Sequence, residues 1–130
     1  MIVVVDASVV LDLLLRTGAW ETVAERVPKW TLHAPELLDV EVLQVLRRYR
    51  LHEGLARSRA AEAVVDFSAL RIQRHRHALY RGRIWELHQN LSADDAAYVA
   101  LAEGFRATLI TRDARLARTR GHNARIELVA

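Results

Sequence analysis

Four carboxylates in this chain stand where carboxylates are costly. Asp6 ends the run Ile2-Val3-Val4-Val5-Asp6, four apolar residues leading straight into an acid, and the hydroxyl of Ser8 follows two residues later. Asp113 comes just past a second apolar run, in Leu109-Ile110-Thr111-Arg112-Asp113. Glu41 lies three residues after Leu38 and four before Val45 in "PELLDVEVLQVLRRY". On a helix that spacing puts it on the apolar face of Leu38, Val42, Val45, Leu46 and Tyr49. Asp95, in "LSADDAAYVALAEG", precedes Tyr98 and Val99 by three and four residues and shares their face, with Asp94 rotated off it.

An acid on an inward face has to be desolvated, paired or bound to a cation. Carboxylates gathered together repel, and each raises the pKa of the others unless a cation intervenes. Mg²⁺ and Mn²⁺ are hard ions that favour oxygen ligands. With no cysteine, thiolate sites are excluded, and the six histidines are scattered. His75 and His77 lack the i,i+4 spacing of paired helical ligands, so the histidines read as surface or packing residues. An acid-held Mg²⁺ or Mn²⁺ neutralises charge on a phosphodiester and lowers the pKa of a water. Asp6, Glu41, Asp95 and Asp113 are therefore the candidate metal-holding and catalytic residues. The hydroxyls of Ser8 and Thr111 can orient those carboxylates or a water. Arg112 and Arg115 flank Asp113, where they could hold the phosphates flanking such a phosphodiester.

Each acid also has a purely structural use open to it. Asp6 can close a turn with Ser8, Asp95 can complete a capping box begun at Ser92, and Asp113 can cap the helix after it. Glu41, mid-helix among aliphatics, has no capping duty, only an edge position with a solvated head group.

The elements that must position these acids follow from patterning. Ile2–Asp6 reads as a strand buried on both faces, as in a parallel sheet. Ser8 is expected to cap a helix over Val9–Leu15, broken at Gly18, with a second helix over Ala19–Val27. Thr31–Ala34 reads as a strand, and Pro35 as the first position of a helix running to about Arg50. Leu55–Ala69 reads as a helix, Leu70–Gln73 as a short strand and His75–Gln89 as a weakly amphipathic helix. Ser92 opens a helix expected to stop at Gly104. Ala107–Thr111 is a strand, a short helix runs through Leu116, and Ile126–Val129 is the last strand. This alternation implies one α/β domain over residues 1–130, with a parallel sheet covered by helices on both faces. Ligands in such folds bind outside the carboxyl ends of the strands, where Asp6 and Asp113 fall.

Composition is that of an ordinary globular chain, 52% hydrophobic and 27% charged. No basic leader precedes the first apolar run and no apolar stretch reaches the length of about 20 residues that a membrane span needs, so a cytoplasmic protein is expected. The net charge of +3 conceals an asymmetry: residues 47–83 hold ten arginines against three acids. Only Lys29 among the 19 basic residues is not arginine. Guanidinium forks suit phosphate oxygens, so a polyanionic partner is one reading and solvated helix faces the other.

Taken in order, "VVVDASVVLDLL", "PELLDVEVLQVL", "LSADDAAYVALAE" and "LITRDARLAR" together resemble the PIN-domain ribonucleases of the VapC toxin family. The resemblance implies a three-layer α/β/α fold with a parallel sheet of about five strands. It implies a Mg²⁺- or Mn²⁺-dependent endoribonuclease, the toxin of a toxin–antitoxin pair, with a cognate antitoxin and a homodimeric state. It places the family's four acids on Asp6, Glu41, Asp95 and Asp113, with Ala96, Tyr98 and Thr111 also matching. Asp94 departs from the usual single acid, and residues 51–90 match only in general character. Two rival functions stay open: a PIN-like domain that binds RNA or a partner without cutting, and a phosphoacceptor or phosphatase domain. The second wants a lysine late in the chain, and Lys29 is early.

Overall fold

A computed structural model describes residues 1–130. Five strands form one sheet: β1 Ile2–Val5, β2 Thr31–Pro35, β3 Ile72–His75, β4 Thr108–Thr111 and β5 Arg125–Leu128. All four pairings are parallel, in the order β3-β2-β1-β4-β5. Val3, Val4 and Val5 are almost wholly buried, as β-branched residues of a central parallel strand should be. The order reverses between β1 and β4, so the topological switch point lies between the strand that Asp6 follows and the strand that leads to Asp113.

Seven helices surround the sheet: α1 Ala7–Leu15, α2 Trp20–Arg26, α3 Leu37–His52, α4 Arg57–Ala69, α5 Arg81–Glu86, α6 Ala93–Phe105 and α7 Ala114–Ala117. Helices α1, α3 and α4 pack on one another, while α6 lies along β1, β2 and β4 with α5 against it. The α/β/α expectation holds. The core is continuous from the valines of β1 through Leu38, Val42 and Leu46 of α3 to Val99, Leu101, Leu109 and Ile110. No helix is long and apolar enough to cross a membrane.

Several local expectations are corrected. Asp6, not Ser8, caps α1, because its Oδ1 accepts from the Val9 amide at 3.2 Å. Pro35 closes β2 instead of opening α3; it pairs with His75 in the parallel register, and a strand end tolerates its missing donor. The stretch 75–89 is not one helix. His75 ends β3, His77–Leu79 form a single tight turn, and α5 is short. His75 is drawn inward by His33, their ring nitrogens sharing a 2.9 Å hydrogen bond, and both rings pack on Phe105. Burial, then the neighbouring His75, lower the pKa of His33, which is a packing residue as expected.

Two helices stop on arginines in the left-handed region, Arg16 (φ 55°) and Arg106 (φ 52°), not on the glycines nearby. Gly104 stays helical, and its missing side chain leaves room for the Tyr80 ring. Gly18 is required twice over. Its φ is +53°, and a methyl there would drive into the Arg112 guanidinium and the Asp12 carboxylate. Gly18→Ala should cost at least about 1–2 kcal/mol from backbone conformation alone. Urea unfolding of the two proteins checks this, and equal midpoints would contradict it.

Candidate active site

The site is built from three backbone segments and one long helix. Asp6 sits at the β1–α1 junction with only 8% of its surface exposed. Every donor to it is neutral: the Ser8 hydroxyl to Oδ1 at 2.6 Å, the Val9 amide to the same oxygen, and the Thr111 hydroxyl to Oδ2. Burial raises the pKa of Asp6 above the usual carboxylate value, against the pull of these hydrogen bonds. No cation balances this charge.

Ser8 and Thr111 tie the two strand ends together. The Ser8 Oγ also accepts from the Arg112 amide at 3.0 Å, and the Thr111 Oγ1 accepts from the Asp113 amide at 3.0 Å. Thr111 is wholly buried. Each hydroxyl therefore donates to Asp6 and accepts from the chain after β4, so the placement of Asp113 is coupled to that of Asp6. Asp113 caps α7: its Oδ1 accepts from the Arg115 and Leu116 amides at 2.9 and 3.3 Å. Its capping use and its place at the rim coexist, because its other oxygen faces outward toward Arg115.

Glu41 is half-buried on the inner face of α3, beside the fully buried Leu38 and Val42. Its Oε1 accepts from the Tyr98 hydroxyl at 2.5 Å. Burial raises its pKa, the Tyr98 hydrogen bond opposes this, and the fields of Asp94, Asp6 and Asp95 add to the rise. Tyr98 is itself pushed up, by burial first and then by Glu41, so it stays a donor. Asp95 lies in the first turn of α6, whose N-cap Ser92 accepts from the Asp95 amide. Burial raises its pKa, Arg115 lowers it, and Asp113 raises it again. Asp94 is exposed, as its helical angle requires, yet it contributes to the field on Glu41.

The four acids thus share one rim and one electrostatic field. As the side chains stand, no three acidic or imidazole groups converge closely enough to grip a single ion. The donor set nonetheless fits a hard divalent cation: it is all oxygen, it carries surplus negative charge, and Glu41 Oε2 and Asp95 Oδ1 make no hydrogen bond. A cation already finds the place. The Arg115 guanidinium lies 3.3 Å from Asp95 and 3.5 Å from Asp113, reached by a side chain that is itself mostly exposed. Arg112 is instead held by Asp12 at 2.9 Å. That pair lines an open depression of about 330 Å³ beside the rim, together with Ser8 and Arg48.

The Tyr98–Glu41 hydrogen bond and the Asp12–Arg112 pair are absent from the sequence reading. Both join residues more than 50 positions apart. The inward placement of Tyr98 on the face of Asp95 was the one available signal.

The raised pKa of Glu41 makes a prediction about stability. A folded-state pKa above the unfolded one means that the charged form destabilises the fold. The cost is present above the folded pKa and vanishes as pH falls to the ordinary carboxylate range. In EDTA, Glu41→Gln should therefore melt above wild type at neutral pH, Tyr98 still donating to the amide oxygen, and the gap should close as pH falls to the ordinary carboxylate range. A variant less stable than wild type at both pH values would contradict this.

Comparison with known proteins bears on the family of the chain. Residues 3–122 match the PIN domain. The chain is 41% identical over 128 residues to Ribonuclease VapC12 of Mycobacterium tuberculosis, covering 98% of this chain and 99% of that protein. It is 40% identical over 119 residues to Ribonuclease VapC9 of the same organism, covering 90% of each. In fold it is similar to the VapBC2 complex of Rickettsia felis bound to a promoter DNA fragment (TM-score 0.69, 14% identity, full coverage of both chains). It is similar also to M. tuberculosis VapC20, described as a sarcin–ricin-loop-cleaving toxin (TM-score 0.68, 14% identity, 88% and 92% coverage). With two strand-end acids and two helix-face acids at the sheet's switch point, the chain belongs to the PIN-domain family, among the VapC ribonucleases.

Proposed function

We propose that this chain is a Mg²⁺- or Mn²⁺-dependent endoribonuclease and the toxin of a toxin–antitoxin pair. The observation that carries the reading is the rim of four carboxylates in one field at the β1/β4 switch point, three of them with raised pKa values. The relatives named ribonucleases support RNA as substrate. Asp6, Glu41, Asp95 and Asp113 would hold the ion, which when bound supplies charge neutralisation on a phosphodiester and a more acidic water. The protein's own part is to position. Thr111 and Ser8 fix Asp6, and Tyr98 fixes Glu41. Arg115, which lies against Asp95 and Asp113, would be available to a flanking phosphate if a bound ion neutralised those acids.

The site is an open rim and not a closed cavity, which suits a polymeric substrate with splayed, single-stranded bases. A cognate antitoxin belongs to the same reading, supported by neighbours that are toxin–antitoxin complexes, and a homodimer is proposed with it on the family resemblance alone. The end of α1 and the α3–α4 connection offer a depression of about 500 Å³ lined by Leu15, Tyr49 and Leu55, into which an antitoxin helix could lay apolar side chains. The test is cleavage of RNA by the purified protein. Cutting should require Mg²⁺ or Mn²⁺, stop in EDTA, and leave 5′-phosphate and 3′-hydroxyl ends. Cyclic 2′,3′-phosphate ends formed in EDTA would refute the metal–water route.

A further inference from the structure

Outside the acidic rim, the surface carries an aromatic feature that the proposed cleavage does not use. Trp85 on α5 is 69% exposed. Its ring is nevertheless held: His88 stacks on it with centroids 4.2 Å apart and planes at 10°. The His88 Nδ1 donates to the Trp85 carbonyl oxygen at 2.6 Å, which pins the imidazole in that stack. One face of the indole is thus covered and the other is open to solvent. The pair borders a depression of about 430 Å³ that Arg81, Ile84, Leu91 and Ala93 also line. Arg81 makes no ion pair, whereas Arg83 two residues on is committed to Glu103 at 2.7 Å.

The position of this depression gives it meaning. Ala93 is the first residue of α6, and Asp94 and Asp95 follow it directly. Two residues of helix rise only about 3 Å, so the depression reaches the same first turn of α6 that carries Asp94 and Asp95, though none of the acids lines it. An exposed, braced indole with a free guanidinium beside it is what an unpaired base needs: a flat π surface and a cation for the adjoining phosphate. A protein partner would want a broader apolar patch, and here Arg81 and His88 interrupt it.

We propose that Trp85, braced by His88 and flanked by Arg81, is a stacking platform that seats one unpaired nucleotide of the RNA beside the cleaved bond. The proposal rests on the ribonuclease reading. It predicts a position-specific base dependence. A short RNA that the wild type cuts is prepared with a single abasic nucleotide at successive positions around the cut. Wild-type kcat/KM should fall about 5- to 150-fold at one of them, the range that loss of a stacked base produces. Trp85→Ala should show that loss on the intact RNA and no further loss at that abasic position, while Trp85→Phe keeps most of the wild-type efficiency. If Trp85→Ala cuts intact RNA as the wild type does, the platform is wrong and the ribonuclease reading stands. If it loses efficiency equally at every position and light scattering shows a dimer becoming a monomer, a second copy covers this face and the platform is wrong. If the wild type cuts no RNA at all, the reading and the platform fall together.

Discussion

Asp6→Asn should leave a folded protein that cuts RNA at least about 100-fold more slowly than wild type, or about 2.7 kcal/mol in barrier. The fold survives because the amide keeps the structural half of the job. Its oxygen can still accept from the Val9 amide and the Ser8 hydroxyl, so α1 keeps its cap. Its nitrogen can donate to the Thr111 Oγ1, which then turns its own hydrogen elsewhere. What is lost is the negative charge. Removing a buried carboxylate that has no cationic partner also relieves a desolvation cost, so the metal-free variant should melt no lower than wild type at neutral pH. Parallel cleavage assays and thermal melts read the two halves separately. A variant that still cuts at wild-type rate would show that the domain needs no metal ligand at this position. A variant that binds RNA and still blocks growth without cutting would favour the binding-module reading.

Thr111→Val should damage stability and chemistry together. Valine has the shape but not the hydroxyl, at a position with no exposure. Two groups lose their partner: Asp6 Oδ2, which accepts from Thr111, and the Asp113 amide, which donates to it. Leaving buried polar groups unpaired costs about 1–3 kcal/mol each, so a loss of about 2–6 kcal/mol is expected. That is a large share of the 5–15 kcal/mol by which a domain is typically stable. Cleavage should fall about 10- to 100-fold, since residues that orient metal-holding carboxylates carry effects of that size. Thr111→Ser, which keeps the hydroxyl, should restore most of the rate. Denaturant unfolding and cleavage on the three proteins test this, and a serine variant no better than valine would assign the effect to packing.

Much of this site is legible in the chain because the acids violate local rules. A carboxylate ending a β-branched strand and a glutamate amid Leu38, Val42 and Val45 both demand a partner, and helical arithmetic alone separates Asp95 from Asp94. The strand–helix alternation likewise places Asp6 and Asp113 at one edge of a parallel sheet. What the chain conceals is nonlocal or depends on competition between neighbours. Whether Asp6 or Ser8 caps α1 turns on a shift of two residues in where the helix starts. Pro35 at the end of β2 is permitted by a register with β3 that no local pattern contains. The break in 75–89 comes from His75 pairing with His33, 42 residues away. Arg115 looks like a phosphate-binding side chain from its position and is found lying against the acids, because their uncompensated charge attracts the nearest cation.

The most direct test of the central claim is the structure of the protein soaked in Mn²⁺, with the ion located by its anomalous scattering. One strong peak is expected at the β1/β4 rim, ligated by oxygens of Asp6, Glu41, Asp95 and Asp113, with Arg115 moved off Asp95. Active, RNA-cutting protein with no ion at that rim, or with the ion bound away from these four side chains, would contradict it.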